Sequence, residues 1–277
     1  MGGMFPVPAT LSPSRVQAFT SCPMAFRFSA IEKLPEPASI HTARGTFVHR
    51  ILELLFQAEA PQRTQPLALE LLEQAWADLT AEDEYRLLAP SDDQAAGLRA
   101  DAAKLVARYF EMEDPTAIQP EGLELQLEAE LDGVVLRGII DRLERNAEGQ
   151  LVVTDYKTGR APSPQYEQRS LGGVHFYAWL CEHALGERPA QIRLMYLSAG
   201  ETITAFPSDQ SIRFLPKRAG AVFQAIRKAC TTGDFRPQPG PLCNSCAFQR
   251  WCPSFGGNPA LAAAEAPLVY ALPAVPA

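Results

Sequence analysis

The sequence predicts an α+β fold in which a mainly helical first part precedes a core of strands and helices. Over the first 115 residues, apolar side chains recur every three or four positions, which is the period of an amphipathic helix. After residue 120 they alternate with polar side chains, which is the period of a half-buried strand. Of the 277 residues, 47% are hydrophobic, so the chain can bury a sizeable core and is not disordered as a whole.

The first part of the chain carries four predicted helices. A Ser-Pro-Ser start followed by spaced aromatic residues predicts a helix over Leu11–Phe28. Gly45–Glu59 places its large apolar residues on one wide face. Helices are also predicted over Pro66–Leu79 and Asp92–Met112, so residues 11–115 are expected to be mainly helical.

The core is predicted to have the order β-β-β-α-β, and a further strand and a long helix follow it. Apolar and polar residues alternate over Leu123–Leu131, and Asp132-Gly133 is a typical hairpin turn. The other predicted elements are strands over Val134–Glu144 and Leu151–Tyr156, a helix over Gln165–Leu185, strands over Ile192–Leu197 and Thr202–Phe206, and a helix over Asp209–Thr231.

We predict a single domain over residues 11–257, because no Gly/Ser-rich linker separates the helical part from the core at residues 120–231. Residues 232–257 are rich in Pro, Gly and Cys and have too few apolar side chains to fold without a staple. Residues 1–10 and the Ala/Pro-rich residues 258–277 are predicted to be disordered.

The charge and hydropathy of the chain exclude two classes of protein. A formal net charge of −7 excludes a wholly basic, DNA-coating protein but leaves room for a local basic surface. No stretch approaches the roughly 18 uninterrupted apolar residues of a membrane helix. Residues 1–10 have neither the basic start nor the apolar run of a secretory signal. We therefore expect a cytoplasmic protein without a membrane partner.

Acidic residues interrupt two predicted strands and indicate hydrolytic chemistry. Asp141 lies on a strongly apolar strand, and the next strand ends in Asp155 and Lys157, which share one face. Two carboxylates close together need a cation between them, and oxygen ligands suit Mg²⁺ or Mn²⁺. A lysine there can orient the attacking water or neutralise charge on a phosphate, which suits phosphodiester hydrolysis. Solvated strand ends with routine ion pairs are the alternative.

Gly138–Arg142 and Asp155–Gly159 together resemble the metal-site motifs of PD-(D/E)xK nucleases, in the RecB-like exonuclease group. The resemblance extends from about Leu11 to Phe255 and implies a restriction-endonuclease-like core, a mixed sheet flanked by helices. It implies that Asp141 and Asp155 bind the metal ion, with the Tyr156 carbonyl as a further ligand.

Two helical motifs extend this resemblance. Gly45–His49 resembles the family's Gly-x-x-x-His, which implies that His49 completes the metal shell. Tyr177 matches the tyrosine of the family's Gln-x-x-x-Tyr helix beside the scissile phosphate, but Gly173 stands where the glutamine is expected. His175, Gln168 and Arg169 are candidates to replace that glutamine. Glu128 is a candidate additional carboxylate, with an outward-facing strand position as its alternative.

Four cysteines form the second motif. Cys243, Cys246 and Cys252 lie within ten residues, and Cys22 lies near the other end of the chain. This spacing resembles the iron–sulfur staple of the same nuclease group and implies a [4Fe–4S] cluster held by four thiolates, which would close a very long loop. A zinc ion and free thiols are the alternatives, although structural zinc more often uses two close pairs. The remaining Cys181 and Cys230 are expected to be buried apolar residues.

Basic residues concentrate in the C-terminal part of the chain. From Ser208 to Cys252 there are seven basic and two acidic residues, which predicts a positive strip facing phosphates or, alternatively, a solvated helix face. Arg160 and Arg169 are candidates to hold the strand that is cut. Phe248 and Trp251 are candidates either to stack on bases or to pack in the core.

Taken together, the resemblance implies a metal-dependent DNA exonuclease that acts on single-stranded ends in repair or recombination. The chain has no P-loop motif of a motor protein, so we expect a free-standing nuclease or one that works with a separate helicase or repair subunit. A CRISPR-associated spacer-processing nuclease shares the same motifs and is one alternative. A second alternative is a catalytically inactive subunit that binds DNA ends. Gly173, which stands where glutamine is expected, favours this alternative.

Overall fold

The computed structural model describes residues 4–162 and 172–271, which form two compact units. The terminal unit joins the two ends of the chain with one short internal segment: residues 4–37, 128–137 and 213–271. The central unit consists of residues 38–127, 138–162 and 172–212. Helices and a mixed sheet confirm the predicted α+β class.

Helices occupy most of the N-terminal part of the chain. In chain order the α-helices are α1 (Pro13–Ser21), α2 (Pro23–Phe26), α3 (Ile40–Gln57), α4 (Gln65–Glu70), α5 (Leu72–Ala81), α6 (Asp83–Leu88), α7 (Asp92–Met112), α8 (Gly172–Ala184), α9 (Asp209–Thr232) and α10 (Ala262–Val269). No helix in the described part of the chain is both long and apolar enough to cross a membrane.

The strands form a mixed sheet. They are β1 (Thr10–Leu11), β2 (Pro120–Leu131), β3 (Val134–Arg145), β4 (Leu151–Lys157), β5 (Gln191–Tyr196) and β6 (Glu201–Ala205). Strands β3 and β4 are antiparallel, β4 and β5 are parallel, and β5 and β6 are antiparallel. Strand β2 pairs with β3, and β1 runs parallel to the start of β3. Each predicted core strand is therefore present, and β3 and β4 are direct neighbours.

Helices α3 and α7 enclose the core of the central unit. Each begins at a serine whose side chain accepts a hydrogen bond from the first turn, Ser39 for α3 and Ser91 for α7. Because Ser39 is the cap, α3 begins at Ile40, five residues before the predicted start. Burial of one large apolar side chain stabilises a fold by roughly 1.5–3 kcal/mol. The core contains Phe47, Val48, Ile51, Leu52, Leu55, Leu98, Val106, Tyr109, Tyr156 and Met195.

Two predicted helices are interrupted. The helix predicted over Leu11–Phe28 breaks at Cys22, whose backbone is extended, because Pro23 has no N–H to continue α1 and instead begins α2. A π-helical turn, Arg27–Ile31, follows. The helix predicted over Pro66–Leu79 is likewise divided, into α4 and α5, at Leu71.

The prediction of disordered ends is wrong for the described residues. The Phe5 backbone N–H donates to the Cys230 carbonyl at 3.0 Å, and the Phe5 ring packs edge-on against Phe235. Residues 262–269 form helix α10, and its Glu265 accepts a hydrogen bond of 2.8 Å from the Trp251 indole. The Ala-rich sequence favours a helix, and contacts with distant residues hold both segments. Residues 1–3 and 272–277 lie outside the described part.

Candidate metal centre

Two neighbouring strands carry the predicted catalytic acids. The antiparallel register places Arg142 of β3 opposite Thr154 of β4, so Asp141 and Asp155 each lie one residue beyond this pair. Both are buried, with 9% and 4% of their surface exposed. They are therefore not solvated strand ends, and two like charges lie close together inside the protein.

A glycine lets helix α8 approach strand β3. A Cβ atom on Gly138 would lie 2.7 Å from Leu180 Cδ1 and 3.2 Å from Tyr177 Cε1. Non-bonded carbon atoms do not approach to 2.7 Å, so a larger residue at position 138 would force the Leu180 side chain or the Tyr177 ring to shift. Gly138 thus allows Tyr177 to lie against the strand that carries Asp141.

His49 projects from α3 onto the same two strands. Its Nε2 atom lies 2.8 Å from the Tyr156 carbonyl oxygen, and its Nδ1 atom lies 3.5 Å from Asp141 Oδ2. The Tyr156 backbone N–H donates to the same Asp141 oxygen at 2.7 Å. A neutral His49 that donates through Nε2 turns the lone pair of Nδ1 toward the carboxylate. A proton or a cation at this point therefore stabilises the arrangement.

Glu124 of strand β2 supplies a third carboxylate that the sequence analysis missed. Ligand atoms of His49, Glu124 and Asp141 all lie within 4.8 Å of one another. Glu124 has a φ of 44°, a left-handed conformation that is uncommon for a residue other than glycine and that often marks a functional position. The candidate considered from the sequence, Glu128, instead pairs with Arg137 at 3.4 Å, and both side chains are exposed.

Two of the acids, Asp141 and Glu124, have raised pKa values. Burial, followed by the charge of Asp155, raises the pKa of Asp141 to about 8. Burial, followed by the charge of Asp141, raises the pKa of Glu124 to about 7. Ordinary carboxyl groups titrate near 4. The site is therefore poised to lose protons when a cation binds, since the cation favours the charged carboxylates.

Lys157 lies beside Asp155, on the same face of β4. Its Nζ atom is 2.5 Å from Asp155 Oδ2. Burial lowers the pKa of Lys157, but the neighbouring Asp155 carboxylate outweighs this effect, so the pKa lies above its ordinary value. The side chain is 43% exposed, and its ammonium group is a fixed positive charge that a substrate can reach. Arg160, which follows β4, is exposed.

Tyr177 completes the group of side chains around the carboxylates. Burial, together with the charges of Asp155 and Asp141, raises its pKa, so the hydroxyl keeps its proton and can donate it in a hydrogen bond. At Gly173, where the resemblance predicts glutamine, no atom of the described residues lies within 4 Å of the position that a Cβ would take. Of the proposed substitutes, His175 lies on α8, whereas residues 168 and 169 lie outside the described part.

A buried charge cluster lies on the other face of the two strands, which we call the Arg142 cluster: Arg142, Glu113, Glu144 and Arg193. Arg142 is fully buried and contacts Glu113 and Glu144, each at 2.5 Å. It also donates to the Tyr156 hydroxyl at 2.7 Å. Arg193 contacts both glutamates. Two positive charges thus balance two negative charges, as burial of ions requires. The sequence analysis gave Arg142 no role of its own.

The donors around Asp141 fit a hard divalent cation. An imidazole and several carboxylates surround one point, with a backbone carbonyl beside the imidazole, and Mg²⁺ and Mn²⁺ prefer such oxygen-rich sets. Burial and the neighbouring acids raise the pKa values of Asp141 and Glu124, and a bound cation would offset both effects.

The four predicted cysteines line one cavity in the terminal unit. The walls of this cavity also include Met24, Phe28 and Phe248. Two thiols accept backbone hydrogen bonds: Cys22 Sγ from Gln238 at 3.5 Å and Cys243 Sγ from Gly240 at 3.3 Å. The other wall cysteines are Cys246 and Cys252. Cys181 and Cys230 are buried elsewhere, as predicted.

The two aromatic residues near these cysteines belong to the core. Phe248 and Trp251 are 2% and 1% exposed, so neither can stack on a base. The ring of Phe248 packs 5.4 Å from that of Phe28, and the Trp251 indole donates to Glu265. Of the two interpretations of these residues, core packing is correct.

Comparison with known proteins connects this chain to nucleases. The family model described as PD-(D/E)XK nuclease superfamily matches residues 10–253. One component of an ATP-dependent helicase/deoxyribonuclease from Streptococcus mutans is 31% identical over 169 residues. That match covers 58% of this chain but 15% of the relative, so the chain spans about a seventh of its length. The gene 69 protein of Mycobacterium phage D29 is 24% identical, covering 88% of this chain and 96% of the phage protein.

A solved structure supports the fold. A crystal structure from Eubacterium rectale, named as a candidate exonuclease, aligns with a TM-score of 0.54. The alignment covers 87% of this chain and 88% of that one, at 13% identity. The likeness confirms a mixed sheet flanked by helices.

Proposed function

The chain belongs to the PD-(D/E)XK nuclease superfamily, and from this premise we propose that it is a metal-dependent deoxyribonuclease that hydrolyses phosphodiester bonds. The observation that carries the proposal is the meeting of His49, Glu124 and Asp141 within 4.8 Å. Asp155 and Lys157 on the adjoining strand extend this group. A charged lysine next to a cluster of carboxylates is useful where a phosphate and a metal ion meet.

His49, Glu124, Asp141, Asp155 and the Tyr156 carbonyl would hold one or two Mg²⁺ or Mn²⁺ ions. When bound, such an ion stabilises negative charge on the phosphate and lowers the pKa of a water molecule. The Tyr156 N–H donates to Asp141 Oδ2, the oxygen that also faces His49, and so holds this carboxylate in place. His49 of helix α3 holds the Tyr156 carbonyl in place through its Nε2 atom.

Two further side chains would act on the substrate itself. The Lys157 ammonium, held by Asp155, orients the attacking water and neutralises charge that develops on the phosphate. The Tyr177 hydroxyl, which keeps its proton beside the carboxylates, donates to a phosphate oxygen and so positions the scissile bond. Both roles need only side chains already in place.

The relatives support a finer proposal about substrate and partner. The Streptococcus mutans relative is named as part of a helicase and deoxyribonuclease, and the Eubacterium rectale structure as a candidate exonuclease. We propose that this chain digests single-stranded DNA ends, together with a separate helicase or repair subunit.

We further propose that Cys22, Cys243, Cys246 and Cys252 hold a [4Fe–4S] cluster. The support is that four thiols from both ends of the chain surround one cavity and that backbone N–H groups point at two of the sulfurs. Within the described residues, no three thiols approach to within 4.8 Å of one another. Sulfur atoms around one zinc ion, with bonds of about 2.3 Å, would lie closer than that.

The test of the nuclease proposal is a cleavage assay on end-labelled single-stranded DNA with Mn²⁺. Asp155→Ala and Lys157→Ala should each reduce cleavage by a factor of at least about 1,000, since each removes a group that acts on the reacting phosphate. The matched control is the exposed pair Asp101 and Lys104, 3.6 Å apart on α7, whose alanine variants should cut normally.

Two results would count against this function. Normal cutting by Asp155→Ala would remove the site from the mechanism. A wild-type protein that binds the labelled strand but never shortens it would instead be a DNA-end-binding subunit. Glu124→Gln should also impair cutting, whereas Glu128→Gln, an exposed glutamate of the same strand, should not.

A further inference from the structure

Helix α9 presents a positively charged face to solvent in the terminal unit. Between residues 210 and 233 the chain has five basic residues and no acidic residue. All five are exposed: Arg213, Lys217, Arg218, Arg227 and Lys228. The chain as a whole carries a net charge of −7, so this local excess of positive charge runs against its overall composition. We call these five residues the basic face.

The helical period explains why the basic residues point outward together. Leu215, Ala219, Phe223 and Ile226 recur at spacings of three and four and are buried. Lys217 and Lys228 lie eleven residues, or about three turns, apart on the opposite side, a separation of roughly 16 Å. The basic face is therefore long enough to contact more than one phosphate of a nucleic-acid strand.

Three of the charges of this face are not neutralised by the protein. Within the described residues, no carboxylate forms an ion pair with Lys217, Arg218 or Lys228. Other exposed arginines of the terminal unit do have acidic partners: Arg137 with Glu128, Arg236 with Asp234 and Arg250 with Glu265. Closely spaced positive charges repel one another. A polyanion that binds them reduces this repulsion and releases its own counterions into solution.

An exposed aromatic ring accompanies the charges. Phe214 is 59% exposed and lies four residues before Arg218, so the two side chains are neighbours on the helix surface. The alternative interpretation of this segment, a solvated helix face, does not explain the exposed phenyl ring. Proteins that bind single strands combine cations for the backbone with aromatic rings on which the bases stack.

We propose that the basic face binds single-stranded DNA, with Lys217, Arg218, Arg227 and Lys228 on the phosphates and Phe214 stacked on a base. The choice of DNA rests on the proposed nuclease function. An acidic peptide would also match the charge, but it would leave Phe214 without a role. The face is an additional binding surface on the terminal unit, distinct from the residues that would hold the metal ion.

The experiment measures binding of a short fluorescein-labelled oligo-dT strand by anisotropy, in EDTA so that no cutting occurs. Lys217→Gln with Arg218→Gln should lower affinity roughly ten-fold at moderate salt and reduce the slope of log K against log salt by about 1.4. Phe214→Ala should lower affinity about five-fold or more with the slope unchanged. The matched control is Lys104→Gln with Arg108→Gln on α7, whose partners are Asp101 and Glu111.

The proposal is overturned if the α9 pair binds like wild type, or if the control pair loses as much affinity as the α9 pair. It is also overturned if the α9 variants lose binding to an acidic peptide and keep binding to DNA. A wild-type protein that never cuts DNA would refute the nuclease function and leave the binding result intact.

Discussion

At the scale of single residues, the protonation state of Asp141 connects the candidate metal site to pH. One of its oxygens accepts the Tyr156 N–H, and the same oxygen faces the His49 ring. The carboxylates of Asp155 and Glu124 lie nearby, and together with burial they favour the protonated form of Asp141. Folding of the metal-free protein therefore takes up protons at this site.

We predict that the metal-free protein becomes less stable as pH rises from about 5 to about 9. The pKa values of Asp141 and Glu124 are raised in the folded state, so their contribution to stability is complete below the ordinary carboxyl pKa near 4 and is lost as pH rises through about 7 and 8. Urea unfolding at each pH measures the effect. Relative to Asp141→Asn, wild type should lose at least about 1.4 kcal/mol, the equivalent of one pKa unit.

Mn²⁺ should reverse this loss at high pH, because the cation then binds carboxylates that have already given up their protons. Asp101→Asn, which removes an exposed acid on α7, is the control and should keep the pH dependence of wild type. The same pH dependence in Asp141→Asn as in wild type would show that the acids of the site do not titrate in this range.

At the scale of secondary structure, alternate side chains of strands β3 and β4 point to opposite faces of the sheet, and the two faces have different roles. Asp141 and Asp155 point to the metal side, and the neighbouring Arg142 and Tyr156 point to the α3 and α7 side. The Arg142–Tyr156 hydrogen bond connects the two strands directly behind the site. Because the backbone of Tyr156 contacts both Asp141 and His49, any shift of this residue reaches the metal ligands.

We predict that Tyr156→Phe weakens Mn²⁺ binding several-fold, whereas Tyr109→Phe does not. Both hydroxyls contact Arg142, at 2.7 Å and 3.4 Å, and both rings are buried. Each variant should therefore lose about 1 kcal/mol of stability in urea unfolding. Only Tyr156 lies on β4, the strand that carries Asp155. Calorimetric titration with Mn²⁺ in the absence of DNA therefore distinguishes an effect on the position of the metal ligands from an effect on stability. Equal Mn²⁺ affinity of the two variants would contradict a positioning role.

The same strands show what the sequence could and could not predict. Period-2 alternation was enough to place Asp155 and Lys157 on one face, because it depends on neighbouring residues only. It could not single out Glu124 from Glu128, since both occupy polar positions of one alternating strand and the left-handed backbone at Glu124 breaks the period. Burial of Arg142 depends on Glu113, which lies 29 residues earlier in the chain, and no local pattern reveals such a partner.

At the scale of the whole molecule, the terminal unit brings the two ends of the chain together. Phe5 contacts Phe235, and β1 pairs with the start of β3. The prediction of disorder for these ends rested on their terminal position and their prolines. A contact between residues more than 200 positions apart holds the N-terminal segment, and contacts with Trp251 and Ala247 hold the C-terminal one. Closing a loop of this length is entropically costly, so a crosslink between the ends should be effective.

The last prediction concerns that crosslink. If Cys22, Cys243, Cys246 and Cys252 hold a [4Fe–4S] cluster, protein purified without oxygen should contain about four irons and four sulfides per chain. Cys22→Ala should lose most of this iron and unfold at lower temperature, because the N-terminal ligand is the one that closes the long loop. Cys181→Ala is the matched control, since it removes a buried thiol outside the cavity and should keep its iron. Stoichiometric zinc in wild type, or full iron in Cys22→Ala, would refute the cluster.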